Sequence, residues 1–110
     1  MKSYCIREAA KLMDIQPYDE SDTNKSKYSL LVDWLLSCGF VYYGKHMLSN
    51  SNRDVYILSD TFKKAYPNEA KIYFEERWVE GKYYQLRITE EGVNNLFRFV
   101  LKILEEELFK

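Results

Sequence analysis

Hydrophobic residues recur at helical spacing in three stretches of the chain. The first stretch covers residues 6–13, and the hydroxyl group of Ser3 is expected to cap its start. The second stretch is expected to be capped by Asn24 or Ser26, and it ends near Cys38, where Gly39 supplies a C-terminal stop. The third follows Thr89, whose side chain is the expected cap and whose acidic successors suit the positive end of the helix dipole. The pattern therefore predicts three main helices.

Between the second and third helices the pattern changes to short β-prone runs. Residues 40–43 and 55–58 each predict a short strand. Ser59 and Asp60 predict the start of a short helix that ends before Pro67. A small segment of strands and one helix is therefore expected between the helical pair and the rest of the chain.

The clearest local signal is a β-hairpin. Residues 71–79 and 83–88 are β-prone, and Gly81 lies in the turn between them, where a positive φ is needed. A helical pair followed by a hairpin is typical of a winged helix. We therefore expect a single α+β domain over residues 1–110, a winged helix-turn-helix with a β-hairpin wing and a long C-terminal helix.

Charge and cysteine content narrow the function classes. The chain has 16 basic and 17 acidic residues and a formal net charge of −1, so DNA binding requires a local basic patch rather than an overall excess. Cys5 and Cys38 have neither the number nor the spacing of a disulfide framework or a metal site. This cysteine usage and the absence of a signal peptide or membrane span predict a soluble, cytoplasmic protein.

Polar and basic residues crowd the predicted start of the second helix and the predicted wing. Helix-turn-helix proteins read DNA with the N-terminal part of this helix, where amides and cations meet phosphates and base edges. The alternative is a solvated helix start with ordinary capping residues. The candidate DNA-binding residues are Asn24, Lys25, Ser26, Lys27 and Tyr28 on the helix, with Arg77, Lys82 and Arg87 on the hairpin.

The acidic residues in the loop before this helix disfavour DNA binding. Asp14, Asp19, Glu20 and Asp22 gather there, and acids on the DNA-facing side would repel a phosphate backbone. A winged helix that binds a protein instead of DNA therefore stays open as the second interpretation.

No arrangement of residues indicates catalysis. The only histidine, His46, lies in a polar loop, and no nucleophile with its base or phosphate-binding glycine loop is visible. The carboxylates of Glu75 and Glu76 are adjacent in sequence, so they diverge rather than converge on a substrate. We therefore expect a binding module that is not an enzyme and holds no cofactor or metal.

Apolar residues outside the expected core predict a second contact surface. In the pair Tyr83-Tyr84 one side chain must point away from the core, and the final helix carries surplus apolar positions that suit a homodimer. The alternative is that these residues cover the core of their own chain. The candidate partner or dimer residues are Tyr83, Tyr84, Phe97, Leu101, Leu104 and Leu108.

Three stretches together resemble the C-terminal domain of phage antirepressors, known as the KilA-C or ANT domain. Residues 6–15 resemble its opening helix, and residues 30–43 resemble its leucine-rich helix, glycine and aromatic strand. Arg87-Ile88-Thr89-Glu90-Glu91-Gly92 is similar to its basic-x-Thr-x-x-Gly element. The resemblance spans nearly the whole chain. It implies a phage or prophage regulator, most simply a DNA-binding transcription regulator or antirepressor, whose partners are double-stranded DNA or a protein target such as a repressor.

The chain departs from that family in two ways. Its loop over residues 16–23 is long and acidic, and the separate N-terminal module of antirepressors is not part of this sequence. These departures favour an alternative function, a small phage-encoded protein that inhibits a host or phage protein without reading DNA. A repressor or a defence nuclease would be its target, as for an anti-CRISPR protein.

Overall fold

The computed structural model describes residues 2–15, 24–44, 55–79 and 83–108. These residues form an α+β fold with two small antiparallel sheets, which confirms the expected fold class at that level. In chain order the elements are β1 (Ser3–Cys5), α1 (Ile6–Leu12), α2 (Lys27–Ser37), β2 (Val41–Gly44), β3 (Val55–Leu58), α3 (Asp60–Ala65), α4 (Pro67–Tyr73), β4 (Phe74–Val79), β5 (Tyr83–Thr89) and α5 (Glu90–Leu108).

The larger sheet has the strand order β1-β5-β4, and both pairings are antiparallel. Strand β5 lies in the centre, where Ile88 pairs with Tyr4 on one side and with Phe74 on the other. The hairpin predicted from the sequence is therefore present as β4–β5, and the N-terminal strand β1 adds to it. The smaller sheet consists of β2 and β3, with Val41 opposite Leu58.

The core lies between the inner face of the larger sheet and the helices. Alternation along β5 buries Tyr84, Leu86 and Ile88, while α5 contributes Leu96 and Val100, both fully buried. Aromatic stacking extends the core between elements: the ring centroids of Phe40 and Phe62 are 4.1 Å apart, and those of Trp34 and Phe97 are 5.1 Å apart.

The ends of α2 and α3 follow their predicted caps. The Ser26 hydroxyl accepts a hydrogen bond from the Ser29 amide, and the Ser59 hydroxyl accepts one from the Phe62 amide. Helix α2 stops before Gly39, whose φ of 73° is the conformation that glycine adopts without strain. Local sequence chemistry therefore determines where these two helices begin and where α2 ends.

The N-cap expected for the first helix is wrong. Ser3 lies in β1 and pairs with Thr89, while Cys5 precedes α1 and makes no side-chain cap hydrogen bond. The Ser3 hydroxyl instead bonds to side chains on β4 and β5. Ser3 is therefore part of the sheet, through partners distant in sequence, although the local pattern predicts it as a helix cap.

The strand predicted over residues 71–79 begins too early. Residues 71–73 are helical, because Pro67 at the first position of α4 starts a helix that continues to Tyr73. Only Phe74–Val79 forms the strand β4. The sequence signal that identifies α4 is Pro67 followed by Glu69 in the first turn, and the β-prone Ile72 and Tyr73 obscured it.

The junction of β5 and α5 is the most tightly determined part of the fold. The Thr89 hydroxyl donates to the Ile72 carbonyl oxygen and accepts from the Gly92 amide at 3.0 Å, so Thr89 caps α5 as predicted. A Cβ atom on Gly92 would clash with the Tyr73 carbonyl oxygen and would lie 2.7 Å from Ile88 Cγ2. The start of α5 can therefore approach the end of α4 only with glycine at this position.

None of the helices described here has the length and apolar character needed to cross a membrane.

Candidate nucleic-acid interface

The start of α2 is exposed, and its lysines have partners within the chain. Lys25 Nζ lies 2.9 Å from Asp33 Oδ2, and both side chains are nearly half exposed. Lys27 Nζ donates to the Met13 carbonyl oxygen at 3.2 Å, at the C-terminal end of α1. Asn24 is exposed, and Ser26 is the exposed cap. These contacts orient both lysines without burying their charges.

Tyr28 meets a cation that the sequence did not single out. The Arg7 guanidinium carbon lies 4.2 Å from the centroid of the Tyr28 ring, within cation–π distance. Arg7 is exposed on α1, and Tyr28 is partly buried against the core. The signal that could have identified Arg7 is its position off the apolar stripe of the first helix. Arg7 therefore adds a third cation to the lysines at the start of α2.

The two predicted hairpin arginines lie on the same face of the larger sheet. Arg87 is opposite both Cys5 and Glu75 in the strand register, and Arg77 is opposite Gln85. Side chains opposite each other in a sheet point to one face, so all of these lie on the face turned away from the core. We call this surface the outer polar face, and we define it by Ser3, Glu75, Arg77, Gln85 and Arg87.

Arg87 is held firmly in the outer polar face. Its Nε atom donates to Ser3 Oγ at 2.9 Å, and Nη2 donates to the Ser3 carbonyl oxygen at 2.8 Å. Its Nη1 atom donates to Gln85 Oε1 at 3.2 Å. Because all three of its nitrogens are engaged, Arg87 ties β1 to β5.

Arg77 has a looser set of partners. Its Nη2 atom lies 2.5 Å from Glu75 Oε1 and 3.5 Å from Ser3 Oγ, and its side chain is about half exposed. Glu75 also accepts from Ser3 Oγ at 3.3 Å. The carboxylate therefore neutralises part of the charge that Arg77 would offer to a phosphate.

The segment of β1 and α1 links the two groups of candidate residues. Ser3 bonds to Arg77 and Arg87 on the sheet, and Arg7 stacks on Tyr28 at the start of α2. The structure thus connects the helix candidates to the hairpin candidates through the first ten residues of the chain. Sequence reasoning treated this segment only as part of the helical pair.

Several predicted features fall outside the described residues. These are Lys82 with the hairpin turn over residues 80–82, His46, most of the acidic loop over residues 16–23, and the side chains of Tyr83 and Leu108. Of the predicted DNA-binding set, the structure places seven members: Asn24, Lys25, Ser26, Lys27, Tyr28, Arg77 and Arg87.

Tyr84 does not belong to an exposed contact surface. Only 7% of its surface is accessible, and its hydroxyl donates to Glu76 Oε2 at 2.8 Å while accepting from the Leu58 amide at 3.3 Å. Burial raises the pKa of Tyr84 above its ordinary value. The hydrogen bond from the Leu58 amide opposes this effect in part, and the Glu76 carboxylate adds to it. Tyr84 is therefore a core residue that joins β5, β4 and β3.

The structure describes the side chains of three predicted contact residues on α5, namely Phe97, Leu101 and Leu104, and Phe97 packs against Trp34 of the chain's own core. Phe97 and Leu101 line a groove of about 340 Å³ between α5 and the end of α1, together with Leu12 and Arg98. Leu12 is 56% exposed and was not among the predicted contact residues. Leu104 is partly buried against the chain's own core.

Three other aromatic side chains are more exposed than the predicted contact residues Phe97, Leu101 and Leu104. The accessible fractions are 50% for Tyr42, 47% for Tyr43 and 52% for Trp78. Trp78 makes an edge contact with Tyr84, and Tyr43 makes one with Tyr56. Large aromatic side chains at this exposure are candidates for contacts with a partner, although Tyr42 and Tyr43 are successive residues of β2 and point to opposite faces.

Comparisons with protein-family models, with curated proteins and with solved structures give no match.

Proposed function

We propose that this protein is a DNA-binding regulator of the winged-helix type, similar to the C-terminal domain of phage antirepressors. Helix α2 would be the recognition helix, and the hairpin β4–β5 would be the wing. The sheet order β1-β5-β4, with the helical pair α1 and α2 continuing from its edge strand, supports this arrangement. The proposal depends on the residues at the start of α2 and not on the overall charge of the chain.

The observation that carries the proposal is the group of cations at the start of α2. Lys25 and Lys27 flank the cap residue Ser26, and Arg7 joins them by stacking on Tyr28. The unpaired amides of a helix N-terminus attract phosphate groups, and nearby cations add to that attraction. Three cations and an exposed helix start therefore provide a local phosphate-binding surface on a chain of nearly neutral charge.

The internal partners of these cations are compatible with DNA binding. An exposed ion pair such as Lys25 with Asp33 contributes about 0–1 kcal/mol, so its lysine can exchange the carboxylate for a phosphate at little cost. Lys27 bonds to a neutral carbonyl group and keeps its charge accessible. Arg77, by contrast, is paired with Glu75, and Arg87 is engaged on all three nitrogens. We therefore place the main phosphate contacts on α1 and α2.

The salt dependence of duplex binding tests this assignment. Fluorescence anisotropy would be measured between about 50 and 200 mM salt, where each lost phosphate contact lowers the slope of log K against log salt by about 0.9. We expect this reduction for Arg7→Ala, Lys25→Ala and Lys27→Ala. The matched control is Lys64→Ala, an exposed lysine on α3, which should leave the slope unchanged. Equal effects of all four substitutions, or duplex binding that salt does not weaken, would contradict the proposal.

We further propose that the regulator acts as a homodimer through the groove at α5. Phe97, Leu101 and Leu12 give this surface an apolar floor, and winged-helix dimers bind two half-sites. Leu101→Glu should shift the protein toward a monomer in sedimentation velocity and weaken duplex binding. A monomeric wild-type protein that still binds DNA would overturn the dimer and leave the DNA interface standing.

A second function is favoured by the exposed aromatic residues. Tyr42, Tyr43 and Trp78 are of the residue types that dominate protein–protein binding energy. A protein inhibitor would bind its target through some of these aromatic side chains and would not need the cations of α2. If a stoichiometric protein partner is lost with Trp78→Ala and retained with Lys25→Ala, this second function is supported instead of DNA binding.

A further inference from the structure

A cavity of about 380 Å³ lies between α3, α4 and β4, on the core side of the larger sheet. Its wall includes Leu58, Ala70 and Phe74, each at most 6% exposed, and Pro67 from the start of α4. A volume of about 300–1,000 Å³ is typical of sites that bind small organic molecules. The cavity is therefore large enough for a small ligand with an apolar body.

The cavity is lined by more basic than acidic residues. Lys63, Lys71 and Glu76 contribute to its lining. The Glu76 carboxylate is already bound twice, by Lys63 Nζ at 2.6 Å and by the Tyr84 hydroxyl at 2.8 Å. Lys71 is exposed and has no ion-pair partner within the part of the chain that the structure describes. One cation at the cavity is therefore left without a counter-charge.

We propose that this cavity binds a small apolar monocarboxylate. The apolar part would contact Ala70 and Phe74, and the carboxylate would meet the Lys71 ammonium group at the exposed side. A neutral ligand of the same shape would gain only the apolar contact, while an amine would be repelled by Lys71. The chemistry of the lining therefore selects an amphiphilic anion over its neutral and cationic analogues.

This site is separate from the proposed DNA interface. Successive residues of a strand point to opposite faces, so Glu76 faces the cavity side while Glu75 belongs to the outer polar face. The arginines of the outer polar face are consequently not part of the ligand site. The inference rests on neither proposed function, and each can fail without the other.

A series of three probes of matched shape tests the proposal. These are 4-phenylbutyrate, 4-phenylbutyramide and 4-phenylbutylamine, each titrated into the full chain and followed by the NMR signals of Ala70 and Phe74. We expect the acid to bind at least tenfold more tightly than the amide and the amine to bind most weakly. No shift at Ala70 up to about 5 mM of the acid, or equal affinity for acid and amide, would overturn the proposal.

Two substitutions separate the charge from the cavity. Lys71→Gln should remove the preference for the acid while leaving amide binding within twofold of the wild-type value. The matched control Lys64→Gln, on α3 and outside the lining, should retain the full preference. Loss of the preference in both variants would contradict a specific role of Lys71.

Ala70→Leu adds three carbon atoms to the wall that the apolar part of the ligand would contact, and it should weaken binding of the acid and the amide together. The backbone amide NMR spectrum of this variant reports whether the protein is folded. Because Lys71 is exposed, Lys71→Gln tests the charge even if Ala70→Leu does not fold.

Discussion

The junction of β5 and α5 and the start of α2 contain similar residue types but differ in what those side chains bind. At the junction, Arg87 and Thr89 have partners within the fold, and Thr89 is 2% exposed. At the start of α2, Lys25 and Ser26 are exposed, and the carboxylate that pairs with Lys25 is nearly half exposed. Buried partners cannot be exchanged for a ligand without cost, whereas exposed partners can.

This difference bears on the last of the three stretches that carry the family resemblance. In the element Arg87-Ile88-Thr89-Glu90-Glu91-Gly92, the arginine ties β1 to β5, the threonine caps α5, and the glycine admits the end of α4. Each of these roles holds the fold together. A motif of this kind identifies an architecture, and the residues that bind a partner must be sought elsewhere on the surface.

The largest effect is expected from Thr89→Val, which keeps the shape of the side chain and removes its hydroxyl. The α5 cap is lost, and the Ile72 carbonyl oxygen loses its hydroxyl partner in a partly buried position. Together these losses should lower the free energy of unfolding by about 3 kcal/mol. Urea denaturation measures the change, with Thr89→Ser as the control that retains the hydroxyl. A loss as large in Thr89→Ser would show that the methyl group, and not the hydrogen bonds, is responsible.

Gly92→Ala is expected to have the next largest effect. Alanine is favoured over glycine in a helix interior by about 1 kcal/mol, but overpacking costs about 1–3 kcal/mol. Because the new Cβ would clash with the Tyr73 carbonyl oxygen and Ile88 Cγ2, we expect a net loss of about 2 kcal/mol. Thermal and urea unfolding would detect it. A stabilised variant would mean that α4 and α5 separate easily at this point.

A smaller effect is expected from alkaline pH through Tyr84. Its pKa is raised in the fold above the ordinary value of 10.0, so the neutral phenol stabilises the folded state. That contribution is complete below pH 10 and is lost as the pH rises toward the pKa of the folded state, by up to about 1.4 kcal/mol per pH unit. Urea unfolding at pH 9 to 11 should show a steeper decline for the wild type than for Tyr84→Phe. If the free energy of unfolding declines equally with pH in both proteins, other tyrosines or lysines cause the pH dependence.

The smallest effect on stability is expected at the start of α2. Breaking the pair of Lys25 and Asp33 with Asp33→Ala should change the free energy of unfolding by less than about 0.5 kcal/mol. The same substitution removes a competitor for Lys25 and should strengthen duplex binding at low salt. A destabilisation comparable to that of Thr89→Val would remove the contrast between the two regions.

Much of the fold was predictable because its signals are local. Ser26, Gly39, Ser59 and Thr89 determine helix ends through their own backbone neighbourhoods, as the sequence indicated. Strand β1 was not predictable in this way, because three residues carry no periodicity and their partners lie more than 80 positions away. Helix α4 was obscured because Ile72 and Tyr73 have high β propensity, although Pro67 and Glu69 mark the start of the helix.

The sequence predicted which types of residue form the candidate site, but not how they are arranged or which of them are engaged within the fold. Sequence reasoning selected Lys25, Lys27 and Tyr28 but could not place Arg7 beside them, because that contact depends on how α1 packs against α2. It also could not separate exposed Lys27 from fully engaged Arg87, since partners distant in sequence decide that difference.

The pairing of β1 with β5 also bears on how the chain reaches its fold. Ser3 and Arg87 are 84 positions apart in a chain of 110 residues, so their contact closes most of the chain into one loop. Contacts of such long range form late, after local hairpins and helices. Until β1 docks, the outer edge of β5 presents unpaired amide and carbonyl groups, which are a template for pairing with another chain. The three residues of β1 thus cover this edge only once the fold is complete, so the hairpin is most prone to aggregation before β1 docks.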